Sequence, residues 1–176
     1  MTPVRMATVW LEACSGCHMS FLDMDERLIE LAGQIELVCS PLVDRKEFPE
    51  DVDVVVVTGG VGNEEQEELL RKARERSRIL ISMGDCAVTG NVPAMRNTLD
   101  VQEMLEAVYG PDAPGKPSGP AAGVPRLSPQ VQPLHRFVKV DEYIPGCPPC
   151  ADLIHFILSE VVQGRIPGLG VRARFG

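Results

Sequence analysis

Aromatic residues are scarce in this 176-residue chain: five phenylalanines, two tyrosines and one tryptophan, 5% in all. Surfaces that stack the bases of single-stranded nucleic acid are built from such rings. Positive charge is also in the minority. Lys and Arg number 17 against 25 Asp and Glu, a net charge of −8 that repels phosphate backbones. Nucleic acid is therefore not an expected partner. Long apolar runs are missing as well. No stretch approaches the ~18 residues of a membrane span. The run from Met6 to Leu11 is too short for a signal-peptide core and is interrupted by Glu12. There is no Arg-Arg pair. A cytoplasmic location is expected. What the chain does have is 44% hydrophobic residues, enough for one core, and six cysteines. In a reducing compartment, cysteine pairs favour metal or redox chemistry over structural disulfides.

The hydrophobic pattern predicts alternating strands and helices. Ala7 to Leu11, Ile35 to Cys39, Asp53 to Thr58 and Ile79 to Met83 read as short strands, the third being apolar on both faces. Between them, Phe21 to Leu31 and Asn63 to Ser77 read as helices, the second capped by Asn63. Gly59 to Gly62 reads as a turn, Val101 to Tyr109 as a short helix and Arg136 to Val140 as a last strand. Pro148 to Gln163 is a helix with an apolar stripe of Leu153, Ile154, Ile157, Leu158, Val161 and Val162. Alternation of this kind predicts an α/β fold: a flavodoxin-like, doubly wound parallel sheet forming one domain over 1–176. The segment from Gly110 to Pro133 holds seven of the 15 prolines and four glycines. It reads as an extended surface segment that is neither helix nor central strand.

The cysteines are Cys14, Cys17, Cys39, Cys86, Cys147 and Cys150. Cys14 and Cys17 follow the first expected strand, Cys86 follows the Ile79 to Met83 strand, and Cys147 precedes the last helix. In a doubly wound sheet such loops gather at the carboxyl edge. Four thiolates converging there would complete a [4Fe–4S] cluster. Two other chemistries fit part of the pattern. The two C-x-x-C pairs could hold structural zinc, although 130 residues separate them. Cys147-Pro-Pro-Cys150 at a helix start also suits a thiol–disulfide oxidoreductase. Cys39, in an apolar strand, reads as a core residue.

The segments WLEACSGCHMSFLD, GDCAVTGNVPAMRN and PGCPPC, in that order, resemble the small subunit of [NiFe] hydrogenases. The likeness is greatest to the short small subunit of the soluble, bidirectional NAD-reducing kind. The resemblance implies that Cys14, Cys17, Cys86 and Cys147 ligate one proximal [4Fe–4S] cluster, with Cys150 a bystander just beyond the motif. It implies electron relay between a nickel–iron site on a large subunit and an iron–sulfur and flavin diaphorase that reduces NAD⁺. The expected activity is that of an H₂:NAD⁺ oxidoreductase whose catalytic site lies on a partner chain. A related complex I subunit has two adjacent cysteines at the first motif, where Ser15 and Gly16 intervene here. Longer relatives add a cysteine-rich region for two further clusters, whereas this chain ends in a tail with Arg165, Arg172 and Arg174. Many relatives carry glutamate directly before the first cysteine, a position held here by Ala13, with Glu12 one residue earlier. Relatives often have Glu-Gly after the third strand, where this chain has Thr58-Gly59. No proton path is assigned.

Flavodoxin-like folds bind FMN beside the first strand's loop. The cysteine loop occupies that place, so FMN remains a secondary expectation. His18 is expected at a helix start, either on the surface or donating to a sulfur. His155 reads as structural, His135 has no visible role, and Trp10, Met19, Met24 and Met83 read as core.

Overall fold

A computed structural model describes residues 2–45, 47–110 and 123–168. Seven strands are present among them: β1 (Val4–Trp10), β2 (Ile35–Cys39), β3 (Val52–Thr58), β4 (Val61–Asn63), β5 (Ser77–Met83), β6 (Leu127–Gln132) and β7 (Glu142–Ile144). The α-helices are α1 (Gly16–Leu22), α2 (Arg27–Ala32), α3 (Glu64–Glu75), α4 (Asp85–Thr89), α5 (Val101–Tyr109) and α6 (Ala151–Val162). No helix among the described residues is long and apolar enough to cross a membrane.

Five strands form a parallel sheet in the order β2-β1-β3-β5-β7. With β4 and β6 set aside in their own two-stranded sheet, this is the flavodoxin order, and its switch point lies between β1 and β3. β3 is central because both its faces are apolar. Val54 and Val56 pack with Met6, Ile81, Met83 and Ile144 beneath Ile154, Ile157 and Leu158 of α6. Val55 and Val57 point the other way, to Ala7, Val9, Leu80 and Leu70 of α3. The two-residue alternation of strand side chains thus builds two cores from one valine run.

The start of α3 follows from its sequence. Asn63 Oδ1 accepts the Gln66 N–H at 2.8 Å, while Gln66 Oε1 accepts the Gly62 N–H at 2.8 Å. Glu64, Glu65 and Glu67 occupy the first turn, where acids complement the helix dipole.

Several expectations need correction. Phe21 to Leu31 is not one helix. α1 starts earlier, at Gly16, and the chain breaks before α2 at Asp25, whose φ of 52° no helix continues. Gly59 to Gly62 is not only a turn, because Val61–Asn63 pairs with β6 in a two-stranded antiparallel sheet. β6 itself lies within the Gly110 to Pro133 segment, of which 111–122 fall outside the described residues. It anchors the segment through buried Val131, with Pro129 tolerated because the strand is not central. Arg136 to Val140 is no strand. Val138 and Val140 pack on the second core from a loop, and pairing with β5 begins only at Glu142. Trp10 is 46% exposed and Met19 52% exposed, so neither is core, whereas Met24 and Met83 are buried as expected. The Trp10 indole leaves the sheet to donate to Ala13 O at 3.2 Å.

Candidate iron–sulfur site

The loops carrying the cysteines meet at the carboxyl edge of the sheet. Cys14 lies after β1, Cys17 in the first turn of α1, Cys86 in the first turn of α4, and Cys147 between β7 and α6. Two short structures set this arrangement. Ser15 adopts φ 68°, which turns the chain sharply between Cys14 and Cys17. Gly84, at φ 87°, makes the corresponding turn before Cys86. A Cβ on Gly84 would stand 2.2 Å from the Cys17 sulfur, so only glycine lets the two loops approach this closely.

The thiols of Cys17 and Cys86 are both influenced by the neighbouring cysteines of the set. The Cys17 thiol is pushed up to about 12, first by burial, then by the charges of Cys86, Cys14 and Cys147, and last by Asp85. Burial also raises the Cys86 thiol, opposed by an N–H from Val92 and reinforced by Cys147, Cys14 and Asp85. Cys150 figures in neither set, and Cys39 lies apart on β2, half-buried, with its thiol raised by burial. Cys86 is buried, Cys17 half-buried, and Cys14 and Cys147 are exposed.

Three of the four sulfurs receive an N–H donor. The Gly16 amide donates to Cys14 Sγ at 3.4 Å, the Val92 amide to Cys86, and Asn91 Nδ2 to Cys147 Sγ at 3.5 Å. Donors of this kind favour thiolate over thiol. Among the described residues no three His, Cys, Asp or Glu side chains close on a single metal ion. A lone zinc would draw its four ligands to ~2.3 Å. A four-iron cube instead offers a separate iron to each thiolate, so its ligands stand further apart. The donor set fits the cube in number, element and amide donors.

Asp85 and Gly146 lock the Cys86 and Cys147 loops together. Asp85 Oδ1 accepts the Gly146 N–H at 2.6 Å, and the Asp85 N–H donates to Gly146 O at 2.9 Å. Gly84 adds an N–H to Ile144 O at 2.7 Å. From the other side, Ser20 of α1 donates its hydroxyl to Pro149 O at 2.5 Å.

His18 is buried, and its ring engages no sulfur. Nε2 lies 3.1 Å from Thr8 Oγ1, and Nδ1 lies 3.3 Å from Thr58 Oγ1. Because Thr8 gives its own proton to Ser40 Oγ at 2.7 Å, it is free to accept Nε2–H, while the Thr58 hydroxyl stands between His18 Nδ1 and Val9 O, to which it donates at 3.4 Å. Burial lowers the His18 pKa, consistent with this neutral form. The ring therefore pins α1 across β1 and β3. Thr58, noted only as a departure from relatives, is the hydroxyl that makes this possible.

A second hub lies at Arg96. Its guanidinium donates to Gly62 O at 2.8 Å and Ser128 O at 3.0 Å, and its Nε faces Glu12 Oε1 at 3.6 Å. Asn97 pairs with both backbone groups of Val131, at 2.9 and 2.7 Å. Asp85, Asn91, Arg96 and Asn97 all stand inside the GDCAVTGNVPAMRN segment. Reading that segment for its cysteine alone missed them, although buried-capable polar residues packed around a ligand motif were the available signal.

A family model described as NADH ubiquinone oxidoreductase, 20 Kd subunit, matches residues 14–161. The NAD-reducing hydrogenase HoxS subunit delta of Cupriavidus necator is 44% identical over 167 residues, 92% of this chain and 80% of that protein. The sulfhydrogenase 2 subunit delta of Pyrococcus furiosus is 32% identical over 164 residues, 93% of this chain and 64% of that protein. Among solved structures, a chain of an NAD⁺-reducing [NiFe]-hydrogenase in the H₂-reduced state superposes with a TM-score of 0.89 at 41% identity, covering 99% of this chain and all of that one. A chain of a nickel–iron–selenium hydrogenase from Desulfomicrobium baculatum, at 17% identity and TM-score 0.62, shares the fold.

Proposed function

This chain belongs to the family of the NADH ubiquinone oxidoreductase 20 kDa subunit, as one of its [NiFe] hydrogenase small subunits, and we propose what it does within such an enzyme. It relays electrons, one at a time, between the nickel–iron site of a large subunit and a diaphorase module that reduces NAD⁺, in a cytoplasmic complex. Its ligands are Cys14, Cys17, Cys86 and Cys147, holding one [4Fe–4S] cluster. The observation that carries the reading is the gathering of the loops of these four cysteines at one sheet edge, with Cys17 packed against Gly84, Asp85 tied to Gly146 and N–H donors on three of the sulfurs.

When bound, the cluster supplies a one-electron carrier. The chain's own residues do the rest. Gly16, Val92 and Asn91 turn N–H donors toward the sulfurs of Cys14, Cys86 and Cys147. Gly84 leaves room for the Cys17 sulfur, and the Asp85–Gly146 pair keeps the Cys86 and Cys147 loops in register. Burial of Cys17 and Cys86 excludes water on the inner side. On the outer side Cys14 and Cys147 are exposed, and so are Val92 and Met95 just after Asn91, which reaches Cys147; such a surface is suited to cover by a partner.

The test is purification of the complex followed by iron and sulfide analysis and an H₂-dependent NAD⁺ assay. About four iron and four sulfide per copy of this chain are expected beyond those of the diaphorase subunits. A complex without this chain should retain nickel and lose H₂-dependent NAD⁺ reduction. Undiminished reduction without it, or a chain carrying zinc and no sulfide, would overturn the reading.

A further inference from the structure

Asp85 is 5% exposed at the start of α4, beside Cys86. It engages Gly146 twice: Oδ1 accepts the Gly146 N–H at 2.6 Å, and the Asp85 N–H donates to Gly146 O at 2.9 Å. Gly146 in turn immediately precedes Cys147. The link therefore spans two loops that are 61 residues apart in sequence and joins two of the four clustered sulfurs. Gly146 cannot easily move to another position. Its φ is 139°, and a Cβ there would stand 2.6 Å from Pro149 Cα. Thr89 secures the other side of the turn by donating its hydroxyl to Asp85 O at 2.8 Å.

We propose that Asp85 is a positioning residue that fixes the spacing of the Cys86 and Cys147 loops through its paired hydrogen bonds with Gly146. The proposal rests on the cluster assignment above. Two substitutions test it. In Asp85→Asn an amide oxygen still accepts the Gly146 N–H. In Asp85→Ala that acceptor is gone.

The experiment uses the assembled complex carrying each variant, with iron and sulfide content as the readout. Asp85→Asn should load like the unmodified complex. Asp85→Ala should lose a large fraction of its iron and sulfide. Amide hydrogen exchange at Gly146, measured on the same samples, reads the hydrogen bond without reference to the cluster. Protection should survive in Asp85→Asn and fall in Asp85→Ala. Full loading of Asp85→Ala, or loss of the cluster from an Asp85→Asn complex that keeps Gly146 protection, overturns the proposal. An Asp85→Asn chain without Gly146 protection does so as well. An unmodified chain lacking iron and sulfide would instead sink the cluster assignment, while the exchange result would still stand.

Discussion

At the amino-terminal end of the β5–β7 pair, Asp141 donates its N–H to Leu80 O at 2.9 Å and accepts the Leu80 N–H on Oδ2 at 2.9 Å. At the carboxyl end, Asp85 makes the same two bonds with Gly146. The strand pair is thus fastened at both ends by an aspartate that uses its amide and its carboxylate on one residue opposite. Their surroundings differ. Asp141 is met by Arg74 Nη1 at 2.5 Å and Lys139 Nζ at 3.1 Å. Burial opposes its charge, but the Leu80 N–H, Arg74 and Lys139 hold its carboxyl below the ordinary carboxylate range. Asp85 instead stands next to Cys86 and is tied to the residue before Cys147. The same fastening is set among cations at one end and joins two cysteine loops at the other.

The largest effect is expected from removing a sulfur at the carboxyl end. Cys86→Ala should abolish cluster loading, seen as loss of iron and sulfide and of the brown absorbance. Secondary structure by circular dichroism should persist, because both cores lie beneath the site. Retention of four iron in this variant would place Cys86 outside the ligand set.

Next comes Gly84→Ala. The new Cβ would overlap the Cys17 sulfur, and φ 87° is strained for alanine. A loss of about 1–3 kcal/mol in stability together with depleted iron is expected, measured by denaturant titration and metal analysis. Stability falling with iron unchanged would show that the loops can part without harm.

The amino-terminal end should respond in the opposite sense. Asp141→Asn leaves Arg74 facing an uncharged group and should cost about 2 kcal/mol without lowering iron content. The pH dependence follows from the lowered carboxyl. Because the folded chain holds Asp141 ionised below its unfolded pKa, its contribution is complete above the ordinary carboxylate range. It is lost as pH falls through the lower folded value. Denaturant midpoints of the unmodified chain should therefore decline in acid, and Asp141→Asn should flatten part of that decline. Equal acid sensitivity in the two chains would remove Asp141 from the account.

The sequence made the sheet and the cysteine loops legible for definite physical reasons. The run Val54 to Val57 is apolar at every position, which only a strand buried on both faces requires. The stripe from Leu153 to Val161 has helical period, and α6 buries it. The cysteine motifs were readable because glycines accompany them. What was hidden depended on long-range partners. Nothing near Trp10 shows that the indole turns outward to Ala13, and His18 reads as a surface residue or a donor to a sulfur until Thr8 and Thr58 are brought alongside it. β6 was masked by Pro129, since proline suppresses a strand signal even at a position that tolerates it. Asp85 and Asp141 look alike as acidic residues next to strands, and only the pairing of β5 with β7 gives each its glycine or leucine.

The smallest effect marks the boundary of the carboxyl site. Cys150 lies three residues beyond Cys147, so it is the natural rival for the fourth position. Its thiol does not figure among the charges that shift Cys17 or Cys86, and it occupies the N-cap of α6 with φ −69° and ψ 149°. In that place its side chain makes no capping hydrogen bond, whereas serine is among the preferred residues there. Cys150→Ser should therefore leave iron content unchanged and raise stability by a few tenths to about 1 kcal/mol. Cys147→Ser should empty the site. The reverse pattern, with iron lost from Cys150→Ser and kept in Cys147→Ser, would move the fourth ligand three residues onward. It would also detach the site from the Asp85–Gly146 fastening, because Gly146 adjoins Cys147 and not Cys150. The two cysteine variants thus test whether the carboxyl-end aspartate serves the metal centre or, like Asp141, only the strand pair.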